Sequence, residues 1–148
     1  MADFSAIPWI AEHIELYQTD PEKAHMWDST PLGGPGLLPT LLLTTTGRKS
    51  GKPRPLPLIY GEHDGSYVII ASKGGAPAHP LWFENLQATP ECELQVAAKA
   101  VSARARVAEG DERKQLWQQM SKLYPPYDAY QEAAKDREIP VVVLDPIG

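Results

Sequence analysis

Pro53, Pro55 and Pro57 stand at alternate positions between a polar turn and an apolar run that reaches Ile59. Proline has no backbone N–H, so a strand carrying several must turn every missing donor toward one side, and that side stays unpaired. Arg54 to Glu62 is therefore expected as an edge strand. Leu41 to Thr46, a short apolar and β-branched run, precedes it across the polar turn Gly47 to Pro53, which together read as a hairpin. Asp64-Gly65 turns the chain into Ser66 to Ala71, and Glu91 to Ala97, Val101 to Val107 and Ile139 to Leu144 read as further strands. Short helices are expected over His79 to Ala88, Asp111 to Leu123, and from Tyr124-Pro125-Pro126 to about Lys135. Strands joined by hairpin-length turns and interrupted by short helices give an α+β chain, mainly antiparallel, closed as a barrel with helices outside. The regular strand and helix alternation of a parallel doubly wound sheet is missing.

The N-terminus has a different grammar. Residues 1–30 read as helical, with Ile7, Ile10, Ile14 and Tyr17 on one face, Asp20 as an N-cap and Pro21 at the first position of a second helix. Pro31 to Pro39 holds three glycines and three prolines and reads as a linker. The expected organisation is an N-terminal helical segment, 1–34, on a barrel spanning 35–148, a single domain overall.

Fourteen Lys and Arg against nineteen Asp and Glu leave a net charge of −5, which disfavours a nucleic-acid binder, so any anion needs a local cluster. Cys92 is the only cysteine, which excludes an intrachain disulfide and multi-cysteine metal sites and fits a cytoplasmic setting. No apolar run reaches the ~18 residues of a spanning helix, and no cleavable leader is visible, so a soluble, unprocessed chain is expected. The four histidines show no ligand spacing, so no metal is expected.

Between Ser29 and Gly61 the only charges are Arg48, Lys49, Lys52 and Arg54, all around one glycine-bounded turn. The turn is either an anion site, in which Gly47 and Gly51 let backbone amides converge, or a solvated hairpin tip. It is not a Walker A loop, because three residues separate the glycines and Pro53 replaces the magnesium-binding hydroxyl. Ala71-Ser72-Lys73-Gly74-Gly75 ends a strand with a hydroxyl, a cation and two glycines, which suits either a flat or anionic ligand or a plain turn. In His79-Pro80-Leu81-Trp82-Phe83-Glu84-Asn85-Leu86, Trp82 and Leu86 read as core. Tyr124, Tyr127 and Tyr130 recur every third residue, as core with tethered hydroxyls or as the wall of a pocket. No strong acid, base or nucleophile stands out. Redox chemistry fits that gap, since a flavin-like cofactor performs the hydride chemistry and asks the protein for placement.

Leu41 through Arg54 (LLLTTTGRKSGKPR), ASKGG at 71–75, His79-Pro80, WFENL at 82–86, YPPYDAY at 124–130 and Ile139 to Val143 together resemble the deazaflavin-dependent nitroreductase family, in the family's order and from about residue 35 to the C-terminus. The resemblance implies a split β-barrel binding coenzyme F420, an 8-hydroxy-5-deazaflavin with a phosphodiester and an oligoglutamate tail. It implies that Arg48, Lys49 and Arg54 hold phosphate and tail, that Pro57 lines the groove, and that Ala71, Ser72 and Lys73 border the ring with Trp82 and Asn85 close by. It further implies that Ser72, Tyr124, Tyr127 and Tyr130 serve catalysis at the acceptor, a quinone or nitroaromatic compound. The first thirty residues match no motif; in the family that region contacts the membrane or covers the substrate, which implies peripheral contact at the inner face. A monomer is implied over the dimer common among FMN split barrels. The alternatives are a noncatalytic F420 carrier and an FMN-binding split barrel.

Overall fold

The computed structural model describes residues 8–76, 78–135 and 137–147. Ile7, expected on the face of the first helix, lies outside them. Helices α1 (Pro8–Thr19) and α2 (Pro21–Ala24) open the chain, and Asp20 caps α2 by accepting from the Lys23 amide at 3.3 Å. Eight strands follow: β1 (Met26–Asp28), β2 (Leu37–Thr46), β3 (Pro53–Ile59), β4 (Gly61–His63), β5 (Ser66–Ile70), β6 (Glu91–Val96), β7 (Lys99–Val107) and β8 (Val141–Pro146). Helix α3 (Leu81–Ala88) joins β5 to β6, and α4 (Gly110–Leu123) and α5 (Pro126–Ala134) join β7 to β8.

All the pairings are antiparallel, in the order β1-β2-β6-β7-β8-β5-β4, with β3 on the remaining side of β2. Strand β3 pairs only with β2, in the register Thr46↔Pro53, Thr44↔Pro55 and Leu42↔Pro57. The expected edge strand is thus present, with Arg54, Leu56 and Leu58 left to donate toward β2. The expected single strand Arg54 to Glu62 is split, however. Tyr60 alone separates β3, at one end of the sheet, from β4, at the other. One residue can join opposite ends only if the sheet curls until they meet, which makes the fold a split β-barrel.

Two further expectations are corrected. Met26–Asp28 is a strand on Leu37–Pro39 and not helix, because β6 pairs with β2 only over Leu42–Thr44 and leaves the start of that edge open. The linker expected over Pro31 to Pro39 is shorter, a 3-10 turn at Thr30–Leu32 followed by β2 from Leu37. Pro39 is tolerated because it accepts from the Tyr60 amide at 3.3 Å but cannot return the bond, and β3 ends at that level.

The strand runs that look uniformly apolar in sequence are two alternating faces. Tyr67, Ile69, Val142 and Leu144 fill the barrel with Leu41, Leu43, Trp82, Phe83 and Leu86. Val68, Ile70, Val141 and Val143 point outward, under Leu116 and Met120 of α4 and Tyr127 of α5. Ile10, Ile14 and Tyr17 of α1 pack on Leu42.

Candidate functional site

The turn after β2 is closed by its own glycines. The Gly47 amide donates to Lys52 O and the Gly51 amide to Gly47 O, both at 2.8 Å, and Gly51 adopts φ +71°, where a side chain is strained. These two amides are spent inside the turn. Asn85 of α3 fixes the turn's orientation, with its Oδ1 accepting from the Arg48 amide at 3.1 Å and its Nδ2 donating to Thr45 Oγ1 at 3.0 Å. The side chain is buried, and both of its amide atoms are engaged. A groove of about 450 Å³ opens here, lined by Arg48, Lys49, Arg54, Trp82, Glu84 and Asn85 among others. Arg54 donates to Ser50 Oγ at 3.4 Å, and Arg48 lies 3.8 Å from Glu84, the one carboxylate on the lining.

A second cavity, of about 360 Å³, adjoins the groove along β3, with Leu56 in both linings. Pro57, Ile70, Ser72, Lys73 and the three tyrosines surround it. The core and pocket readings of the tyrosines turn out to be compatible. Tyr124 and Tyr127 are 3% and 5% exposed and belong to the core beneath α4 and α5, yet both present surface to the cavity. Tyr124 and Tyr130 join hydroxyl to hydroxyl at 2.9 Å, and the Tyr124 and Tyr127 rings meet edge to face at 4.8 Å. Burial pushes both the Tyr124 and the Tyr127 phenol up, so each is a neutral hydrogen-bond donor at neutral pH.

The structure separates the expected site residues into groups. Arg48, Lys49, Arg54, Trp82 and Asn85 meet at the groove; Pro57, Ser72, Lys73, Tyr124, Tyr127 and Tyr130 meet at the cavity. Ala71 is on neither lining: it is fully buried in the barrel, its amide bonded to Pro140 O at 3.0 Å and its carbonyl to the Arg137 guanidinium at 3.1 Å. Sequence reasoning missed Ile10, His13 and Trp27, which wall the cavity from α1 and β1, and Glu84 in the groove. The signal for Glu84 was its helical spacing beside Asn85. Trp27 gave none, because β1 is too short to show alternation. Cys92 is buried in the barrel with its thiol pushed up to about 12, chiefly by burial, and supplies no nucleophile.

Comparison with known proteins places this basic groove and aromatic cavity in a known family. The profile of the family described as F420H(2)-dependent quinone reductase matches residues 17–146. The chain belongs to this family. It is therefore grouped with oxidoreductases that use coenzyme F420. An F420H(2)-dependent quinone reductase of Mycobacterium tuberculosis (strain ATCC 25618 / H37Rv) is 38% identical over 112 residues, 74% of this chain and 75% of that protein. The solved structure of an F420-H2 dependent reductase, FDR-A, is 44% identical, with a TM-score of 0.66 over 72% of this chain and 93% of that one. A further solved structure, described only as a domain-swapped dimer, is 39% identical, with a TM-score of 0.70 over 93% of this chain and 98% of that one. The split barrel of this family accounts for the curled sheet and the short outer helices.

Proposed function

We propose that this chain transfers hydride from reduced coenzyme F420 to a quinone or related conjugated acceptor, with the anionic tail in the basic groove and the ring and acceptor in the aromatic cavity. One observation carries the reading: a groove with three cations joins an apolar cavity across one residue, Leu56. A phosphodiester with carboxylates suits Arg48, Lys49 and Arg54, and a flat tricycle suits walls of proline, aliphatic and aromatic side chains. The residues present fit the cofactor.

When bound, the reduced deazaflavin supplies the hydride. The chain's own residues place and polarise. Asn85 holds the turn so that Arg48 and Lys49 stay on the groove. Ser72 and Lys73 border the ring. Charge that develops on the acceptor oxygen meets a neutral phenol: when Tyr124 donates to Tyr130, the Tyr130 proton remains for that oxygen. The apolar walls exclude water and strengthen the hydrogen bond.

Anaerobic mixing of the protein with reduced F420 and a soluble naphthoquinone tests this. Catalytic return of oxidised-F420 absorbance is expected. Tight binding without turnover would make the protein a carrier, and preferential binding of FMN would make it an FMN split barrel.

A further inference from the structure

The segment joining β5 to α3 carries Ser72 and Lys73, and its shape is unusual. Lys73 has φ +47°, a left-handed conformation that costs a non-glycine residue about 1 kcal/mol or more. Such a conformation persists only when its surroundings hold it. Two bonds inside the segment hold it, Gly75 N–H to Ser72 O at 3.0 Å and Ala76 N–H to Lys73 O at 3.2 Å. Arg137, 65 residues away in sequence from Ser72, adds a further set. Its Nη2 donates to Ser72 O at 2.7 Å, its Nη1 to Ala71 O at 3.1 Å and its Nε to Ala76 O at 2.9 Å. Nη1 also lies 3.0 Å from His79 Nδ1. Guanidinium has only donors, so Nδ1 accepts and the imidazole proton sits on Nε2.

The other end of the clamp is tied to the tyrosine helix. Gln131 of α5 donates from Nε2 to Arg137 O and accepts at Oε1 from the Ile139 amide, each at 2.8 Å, which fixes the turn from which Arg137 reaches out. Gly75, at φ +83°, rests directly on α5: a Cβ there would fall 2.6 Å from Tyr130 O and 2.9 Å from Ala133 Cβ. Arg137 thus ties the two walls of the cavity together, its guanidinium on the Ser72–Lys73 turn and its backbone carbonyl on Gln131 of the helix of Tyr127 and Tyr130.

We propose that Arg137 is a positioning residue, whose fork of donors holds the Ser72–Lys73 turn in register with the α5 tyrosines and so sets the geometry in which cofactor ring and acceptor meet. Arg137 is on the lining of neither cavity. This inference rests on the hydride-transfer reading above. A lysine cannot replace it, because one ammonium cannot serve three carbonyls spread over Ala71 to Ala76.

Arg137→Lys and Arg137→Ala should keep F420 affinity within about threefold, because the tail cations are elsewhere, while kcat falls on the order of 10- to 100-fold, the scale for a small misplacement of reacting groups. Free guanidinium at millimolar concentration should restore part of the kcat of Arg137→Ala, and an equal concentration of sodium chloride should not. In the protein without cofactor, the Gly75 and Ala76 amides should exchange faster with solvent in both variants, which reads the clamp independently of turnover. Wild-type kcat and unchanged exchange in Arg137→Lys would overturn the proposal, as would loss of kcat only in step with lost melting temperature and without guanidinium rescue. If wild-type protein neither binds nor oxidises reduced F420, the functional reading fails, and the proposal falls with it.

Discussion

The hydroxyl oxygens of Tyr124, at the end of α4, and Tyr130, on α5, lie 2.9 Å apart beside an apolar cavity, and neither helix alone would bring them together. The two prolines between them turn the chain sharply enough for the rings to converge.

The pair predicts unequal effects of the same change. Tyr130→Phe should lower turnover with a quinone by on the order of 100-fold or more, from ~2.7–4 kcal/mol of lost donation at the transition state, and should also cost about 1 kcal/mol of stability, because it removes the same hydroxyl pair. Tyr124→Phe removes one hydrogen bond from a buried ring and should cost about 1 kcal/mol of stability. Equal, small kinetic effects in both would assign the pair to packing.

The groove predicts graded affinities. Arg48→Ala and Lys49→Ala should each weaken F420 binding by roughly 1.5–3 kcal/mol, and binding should fall as salt rises. Titration of F420 fluorescence at two ionic strengths measures both. Unchanged affinity would make the turn a solvated hairpin tip.

Glu84 predicts a gain. It sits 3.8 Å from Arg48 on the groove proposed for the anionic tail, so Glu84→Gln should tighten F420 binding a few-fold, in keeping with ~0–1 kcal/mol for a partly exposed pair. Asn85→Ala, which releases the Arg48 amide, should loosen it. The reverse order of these two affinities would contradict the assigned roles.

Burial lowers the pKa of both His13 and His79 from the ordinary 6.5, and for His79 the Arg137 charge adds to this while Glu84 opposes it. The folded state therefore favours neutral rings, and the unfolded chain binds more protons below that value. The stability from this source is present above pH 6.5 and is lost as the pH falls through the lowered values. Melting temperature should decline from about pH 7 toward pH 5, and His79→Gln should flatten the slope. A melting temperature that rises on acidification would contradict it.

Much of this was legible in the chain because the constraints were local. Alternate prolines dictated an edge strand, and the glycine-bounded turn exposed the cation cluster. The tyrosine spacing placed two rings on one helix face. What stayed hidden depended on distance in sequence. The strand β1 pairs where β2 runs past β6. Trp27 and His13 reach the cavity through that pairing and through α1. Arg137, in a stretch between helix and strand, gives no sign of the carbonyls it binds more than sixty residues earlier.

The most direct test of the central claim is a single anaerobic assay in which reduced F420 and a naphthoquinone are mixed with catalytic amounts of protein and absorbance of oxidised F420 is followed. The account predicts many turnovers per protein, quinone-dependent and abolished when the anionic tail is removed from the cofactor. Stoichiometric binding with no quinone-dependent oxidation would contradict it.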